Sequence, residues 1–95
     1  MSKYDKFYTL FLDTTGTDKQ IDMCIEEMSE LIKALLKERR YSQDASRKEQ
    51  LRRDVIEEIA DVANYIDELS MIYGRTDIDY IREQKLNRAV ERLEK

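Results

Sequence analysis

Proline is absent from this chain of 95 residues, and glycine occurs only at positions 16 and 74. Because these two residue types are the strongest local breakers of regular structure, long stretches of the chain are free to form uninterrupted helices. Between and after the glycines, apolar residues recur every three or four positions, a period typical of amphipathic helices. The sequence therefore predicts an all-α protein.

Three helices of the core can be placed from this periodicity. The apolar pattern predicts one long helix over residues 18–40 and a second over residues 47–73, which Gly74 ends. A third helix begins near residue 76. Each start has the spacing of a capping box, in which two side chains bond the first free backbone amides; the three pairs are Thr17 with Gln20, Ser46 with Glu49, and Thr76 with Asp79.

The length allows one domain with a modest core. We expect a single domain over residues 1–95, in which residues 1–16 form a tail or a short helix and residues 17–95 form the helical core. The aromatic residues of the tail and the acidic side of the helix over residues 18–40 need covering surfaces. We therefore predict a bundle of long antiparallel helices completed by homo-oligomerisation, as a dimer or a dimer of dimers.

The charge balance limits the partners. The net charge is -4 and the isoelectric point is about 4.9, whereas binding to nucleic acid depends mainly on clustered positive charge. No apolar run reaches the length of a membrane span, and neither a signal peptide nor a disulfide is expected, since Cys24 is the single cysteine. We expect a cytoplasmic protein that binds neither nucleic acid nor membrane.

Acidic residues occur in two groups on the predicted helices. Glu26, Glu27 and Glu30 fall within about a quarter turn of the first helix, approximately opposite its apolar stripe. Glu58 and Asp61 flank the apolar stripe of the second helix. If a further helix covers the first group, five carboxylates converge, and a cation is needed to offset their repulsion. Oxygen ligands without histidine favour magnesium, especially where substrate phosphates share the site.

The same residues carry a resemblance to a known family. The segments "EEMSE" at 26–30 and "EEIAD" at 57–61, with 27 residues between Glu30 and Glu58, resemble the EExxE and ExxD motifs of the all-α nucleoside triphosphate pyrophosphohydrolases, the MazG-like family. "KLNR" at 85–88 is similar to the basic segment of that family, and the resemblance covers about residues 18–92.

The resemblance implies a function and a set of roles. Glu27, Glu30, Glu58 and Asp61 would be metal ligands for Mg²⁺, with Mn²⁺ as a substitute, and Glu26 would be a further ligand or would orient the attacking water. The substrate would be a nucleoside triphosphate, cleaved to a monophosphate and pyrophosphate, in the cleansing of the nucleotide pool.

Basic and polar residues near these motifs have two interpretations each. Lys85, Arg88 and Arg92 share one side of the third helix and could clamp phosphates, or they could simply stabilise a helix C-terminus. Asn64 and Tyr65, just beyond the second motif, could line a base or sugar pocket, or could be packing and surface residues. Lys37 lies on the acidic side of the first helix and could pair with it.

Two alternatives to this function stay open. A phosphoribosyl-ATP pyrophosphohydrolase has similar acidic motifs, although its histidine after the second motif is missing here. A non-catalytic oligomerisation module would use the same apolar stripes only to pair helices. Magnesium separates enzyme from module, because only a metal-binding protein gains stability from the ion.

Overall fold

The computed structural model describes residues 2–94 and contains four α-helices in this range: α1 (Asp5–Thr15), α2 (Thr17–Arg40), α3 (Lys48–Tyr73) and α4 (Arg75–Leu93). No strand occurs among these residues, so the all-α prediction is confirmed. The three core helices begin and end close to their predicted bounds. The short helix α1 lies in the segment for which the sequence predicts a tail or a short helix.

The two glycines form the sharp corners of the chain. Gly16, between α1 and α2, has φ 87° and ψ 158°, and Gly74, between α3 and α4, has φ 112°. Side chains with a Cβ rarely adopt these backbone angles. Each glycine is also the residue that precedes a helix, so Thr17 and Thr76 lie inside α2 and α4 rather than at a cap.

The predicted capping boxes are therefore wrong. None of α2, α3 and α4 has a side-chain hydrogen bond at its N-cap. Before α3, the Ser46 hydroxyl donates to the Asp44 carboxylate at 2.6 Å instead of bonding the helix. At the starts of α2 and α4, the N-cap residues are Gly16 and Gly74, which have no side chain to bond the first backbone amides.

Helices α2 and α3 form an antiparallel hairpin with a seam of alternating three- and four-residue spacing, as in coiled coils. Cys24 is buried on α2, and Leu51 and Val55 are buried on α3. The seam positions are residues 20, 24, 27, 31 and 34 of α2 and residues 51, 55, 58, 62, 65 and 69 of α3. Cys24 is thus a small core residue, as its place in the apolar pattern predicts.

Helix α1 is tied to the open end of this hairpin. Tyr8 is buried, and its hydroxyl donates to Asp67 of α3 at 2.9 Å. Arg75, at the start of α4, donates to both oxygens of Asp5 at 2.7 and 2.8 Å and to Asp67 at 3.2 Å. Burial and the bond to Asp67 raise the pKa of Tyr8 to about 12, so this hydroxyl remains a donor at neutral pH.

The chain as a whole is open. Its radius of gyration is 16.8 Å, whereas a compact domain of this length has a radius of about 12 Å. None of the residues of α4 is buried, and its contacts with the other described helices are a short approach to α3 and the ion pair of Arg75 with Asp5 of α1. One chain is therefore a hairpin with a helix attached at each end of its sequence, and not a closed bundle. Within residues 2–94, no helix combines the length and the apolar character that a membrane crossing requires.

Candidate functional site

Three carboxylates meet between α2 and α3. Glu27, Glu58 and Asp61 each place one carboxylate oxygen within 4.8 Å of the others. Glu27 occupies the seam position between Cys24 and Leu31, and Glu58 occupies the seam position after Val55. We call Glu27, Glu58 and Asp61 the acidic triad. Two of its members stand where a coiled-coil seam would ordinarily place apolar side chains.

The position of Glu27 corrects the sequence analysis. Glu26, Glu27 and Glu30 were expected opposite the apolar stripe of α2, yet Glu27 is half-buried against α3 while Glu26 and Glu30 are exposed. The reason is that Glu27 follows Cys24 by three residues and precedes Leu31 by four, so the helix period places it on the seam side with these two residues. Ile25 and Ile32, on another side of α2, are 54% and 58% exposed.

One oxygen of the triad has no partner. Oε2 of Glu58 is buried, and no hydrogen-bond donor reaches it within residues 2–94. Buried polar atoms are nearly always hydrogen-bonded, because an unpaired one retains the full cost of its desolvation. A group supplied from outside the chain, such as a cation, would offset this cost.

The triad carries mutual repulsion. Burial first, and then the charges of Asp61, Glu58, Glu26 and Glu30, raise the pKa of Glu27. Two like charges at 4.8 Å, the upper limit of these separations, repel by about 3.5 kcal/mol at an effective dielectric constant near 20 and by about 0.9 kcal/mol in bulk water. Since Asp61 is exposed, the lower part of this range applies. The arrangement is destabilising by itself and fits a divalent cation in ligand chemistry and charge.

The other two predicted carboxylates lie beside the triad. Glu30 accepts a long hydrogen bond from Lys33 at 3.5 Å and lines, with Glu58, a cavity of about 240 Å³. Glu26 is exposed on α2 and acts on Glu27 through its charge. The structure thus brings together three of the five predicted carboxylates, with Glu30 as a neighbour and Glu26 outside.

The basic residues nearest the triad come from α2. Lys33 and Lys37 line the same cavity as Glu30 and Glu58. By contrast, Lys85, Arg88 and Arg92 are exposed on α4, and α4 has no close backbone approach to α2 among residues 2–94. Lys37 thus lies on the acidic side, as the sequence predicts, whereas the structure of one chain does not bring the α4 residues to the triad.

A second cavity opens on the other side of Asp61. It has a volume of about 200 Å³ and lies between α1 and α3. Its lining residues are Tyr8, Phe11, Asp61, Asn64, Tyr65 and Glu68. Burial first, and then the charge of Glu27, raise the pKa of Tyr65, so the phenol is neutral and close to the triad. Asn64 and Tyr65 therefore line a cavity next to the candidate metal ligands.

Glu68 and Gln20 were not singled out from the sequence. Glu68 is 2% exposed, and in the amide orientation of Gln20 that satisfies both of its neighbours, the amide nitrogen donates to the two Glu68 carboxylate oxygens at 2.9 and 3.1 Å. Burial raises the pKa of Glu68. The available signal is that Glu68 follows Asp61 by seven residues, which places both on one side of α3. Glu68 also lines the second cavity.

Comparison with known protein families, with curated proteins and with solved structures gave no match to this chain.

Proposed function

We propose that the protein is a magnesium-dependent nucleoside triphosphate pyrophosphohydrolase of the MazG-like type, which cleaves a nucleoside triphosphate to the monophosphate and pyrophosphate. The observation that carries the proposal is the acidic triad, with a buried and unpartnered Glu58 oxygen, placed in a seam that packing alone would make apolar. Repulsion of this kind is retained in proteins mostly where it serves a site.

The donor set selects the metal. All available ligands are carboxylates, and the chain has no histidine. Hard oxygen ligands, together with room for waters and phosphates, suit magnesium, with manganese as a substitute. Glu27, Glu58 and Asp61 would hold the ion, and Glu30 would join them by a change of side-chain rotamer away from Lys33. Two ions are compatible with four carboxylates and a triphosphate.

The residues of the chain divide the work of hydrolysis. A bound magnesium ion supplies neutralisation of the triphosphate charge and lowers the pKa of the attacking water. Glu26, exposed next to Glu27, would accept the proton of that water. The bond that breaks joins the α-phosphorus to the bridging oxygen, and pyrophosphate leaves with that oxygen. The leaving pyrophosphate would then need basic side chains to bind it.

Two sets of basic residues are candidates for that clamp. Lys85 and Arg88 correspond to the basic segment of the resemblance, and they would have to reach the triad by a movement of α4 or from a second subunit. Lys33 and Lys37 already line the cavity beside Glu58. A lysine there would act as a point charge on phosphate oxygens.

The second cavity is our candidate for the nucleoside. It adjoins Asp61, it offers the flat phenol ring of Tyr65, and it presents the amide of Asn64 as donor and acceptor. A stacked aromatic ring and one amide can hold a base of either purine or pyrimidine type. This cavity adjoins Asp61, and the lysine-lined cavity adjoins Glu58. A triphosphate that reaches from one cavity to the other would therefore extend across the triad.

We further propose that the enzyme is a homodimer or a dimer of dimers and acts in the cytoplasm without nucleic-acid or membrane partners. The open shape of the chain supports association, because its radius of gyration of 16.8 Å exceeds that of a compact domain. Cytoplasmic magnesium and nucleotides supply the ion and the substrate.

A second candidate function has its own observation. The heptad-like seam and the large exposed apolar residues on every helix would also suit a non-catalytic oligomerisation module. Such a module would have no use for the charges of Glu27 and Glu58 in its seam, which favours the enzyme.

The experiment that tests the proposal is a panel of canonical and modified nucleoside triphosphates incubated with the full chain and magnesium. Pyrophosphate and orthophosphate are measured separately. The proposal expects pyrophosphate with at least one substrate, and no turnover in chelator. Release of orthophosphate without pyrophosphate, or no product from the whole panel together with no magnesium binding by calorimetry, would contradict it.

A further inference from the structure

A buried carboxyl group lines the cavity that we assign to the nucleoside. Glu68 of α3 is 2% exposed, yet it is one of the lining residues of the cavity of about 200 Å³ beside Asp61. The division of work proposed above gives Glu68 no part. Bulk water hardly touches this side chain, whereas a ligand that fills the cavity would lie against it.

Glu68 is short of hydrogen-bond donors. An ionised carboxylate can accept about four hydrogen bonds, and the amide nitrogen of Gln20 lies 2.9 and 3.1 Å from its two oxygens. Burial alone raises the pKa of Glu68, so within residues 2–94 no cation offsets its charge. A buried charge with one neutral partner is a costly choice if packing is its only purpose. Donors from a bound ligand would offset part of that cost.

The place of Glu68 on α3 fits the far edge of a base. Asp61, Tyr65 and Glu68 follow one another at spacings of four and three residues, about one helical turn each, and line the same cavity. The seven residues from Asp61 to Glu68 correspond to about 10 Å along the helix axis. A ribose and a purine base together span this length beyond a phosphate. With the α-phosphate at the acidic triad, the ring would therefore lie beside Tyr65 and its far edge at Glu68.

Hydrogen-bond chemistry decides which base edge Glu68 can bind. An ionised carboxylate accepts hydrogen bonds and donates none. Guanine presents two adjacent donors, N1–H and the exocyclic amino group, which match the two oxygens of one carboxylate. Adenine and cytosine present one donor beside an acceptor on the same edge, and uracil and thymine present one donor between two carbonyl acceptors. Each of these acceptors would face a carboxylate lone pair and be repelled.

We propose that Glu68 is a specificity-determining residue and that the preferred substrates are guanine nucleotides, whose N1–H and amino group donate to its carboxylate. This rests on the proposed function, because it uses the same cavity for the nucleoside. Tyr65 and Asn64 can hold a base of any type, and Glu68 selects among the bases.

The first test compares substrates on the wild-type protein with magnesium. ITP keeps the N1–H of GTP and lacks the amino group, whereas ATP has an acceptor at N1. The expected order of kcat/KM is GTP, then ITP, then ATP, with GTP ahead of ATP by roughly fivefold to 150-fold, the range typical of one bidentate pair with a base. Dissociation constants of GMP, IMP and AMP, measured by calorimetry with magnesium, should follow the same order without any hydrolysis.

The second test replaces Glu68 by glutamine. Glu68→Gln keeps the size of the side chain, but its amide presents one donor beside one acceptor. The ratio of kcat/KM for GTP to that for ATP should fall by roughly fivefold to 150-fold, while kcat/KM for ATP stays level or rises. Glu49→Gln removes the same charge from an exposed position near the start of α3 and should leave the ratio unchanged. Circular dichroism confirms that both variants are folded. Should Glu68→Gln fail to fold, the order of the three nucleotides on the wild-type protein decides.

The outcomes separate this inference from the proposed function. Pyrophosphate release with equal kcat/KM for GTP and ATP, or with ATP preferred, would overturn the guanine assignment and leave the pyrophosphohydrolase intact. An equal loss for all substrates in a folded Glu68→Gln would overturn the selection of the base by Glu68. Preferential binding of GMP without pyrophosphate release from GTP would support the inference and contradict the proposed function. No binding of any monophosphate, together with no turnover, would overturn both.

Discussion

Replacing Glu58 by glutamine separates a metal site from a tolerated cluster of acids. The substitution keeps the size and the helix propensity and removes one charge from the acidic triad, with its two repulsions toward Glu27 and Asp61. At 4.8 Å, the upper limit of the oxygen separations, each repulsion amounts to about 0.9–3.5 kcal/mol, depending on the effective dielectric constant. With Asp61 exposed, we expect Glu58→Gln to stabilise the magnesium-free protein by about 1–2 kcal/mol. For a chain of this length this corresponds to a melting temperature roughly 5–10 °C higher.

Magnesium should reverse the order of the two proteins. An ion present at 100 times its dissociation constant stabilises a binding protein by about 2.7 kcal/mol. Wild type should gain this increment, and Glu58→Gln should gain little, because the amide oxygen is a weaker ligand than a carboxylate for a hard cation. Wild type would then be the more stable protein with the ion and the less stable one in chelator.

The assay is thermal unfolding followed by circular dichroism, at one fixed protein concentration because association also shifts the melting temperature. The control is Glu83→Gln, which removes the same charge from an exposed position of α4. It should change the stability by less than about 0.5 kcal/mol in either buffer. Equal responses of wild type and Glu58→Gln to magnesium would refute the metal site. A magnesium-free Glu58→Gln less stable than wild type would refute the repulsion argument.

Three further predictions follow from the same geometry. In chelator, acidification from about pH 7 to about pH 5 should raise the melting temperature. The pKa of Glu27 in the folded protein lies above its ordinary value of 4.5. The charged Glu27 carboxylate therefore destabilises the fold at higher pH, and this destabilisation is relieved as the pH falls through the folded-state pKa. A melting temperature that falls steadily over this range would contradict this. Gly16→Ala should destabilise by about 1–3 kcal/mol in urea unfolding, through backbone conformation alone, because no atom lies within 4 Å of the added Cβ; a neutral result would show that α1 and α2 can rearrange. For the phosphate clamp, Lys37→Gln should raise KM for the triphosphate more than Lys85→Gln if the α2 cavity holds the phosphates, and the reverse order would assign the clamp to α4.

The helices were predictable because the relevant signals are local. Gly16 and Gly74 mark two of the breaks, and the period of the apolar residues gives the rest. The choice of face was not predictable in the same way. On α2, Ile25 and Ile32 form the more apolar side, and a hydrophobicity pattern does not tell whether that side meets the same chain or another surface. The hairpin instead uses the side with Cys24 and Glu27.

The candidate site was predictable in part for a related reason. Glu58 and Asp61 are three residues apart on one helix, so their proximity could be predicted from the helix period alone. Their contact with Glu27 could be predicted only if another helix covered Glu27, and in the structure that helix is α3. The pairing of Gln20 with Glu68 depends on how the two helices are aligned, and no local pattern specifies that alignment. No feature of the sequence predicts the open arrangement of α4 either, since the apolar side of α4 is compatible with any covering surface.

The buried bond between Gln20 and Glu68 has a consequence for how the hairpin finds its alignment during folding. Coiled-coil seams repeat every seven residues, so a hairpin of this type can slip by one heptad and still pair apolar residues. Since Gln20 lies level with Glu68, a slip of seven residues along α2 would bring Glu27 level with Glu68. Two carboxyl groups would then face each other in the interior, and the amide that satisfies Glu68 would be lost. The buried pair of Gln20 in the seam and Glu68 beside it thereby penalises the slipped pairing, and replacing both residues by leucine should give a hairpin that folds into more than one alignment.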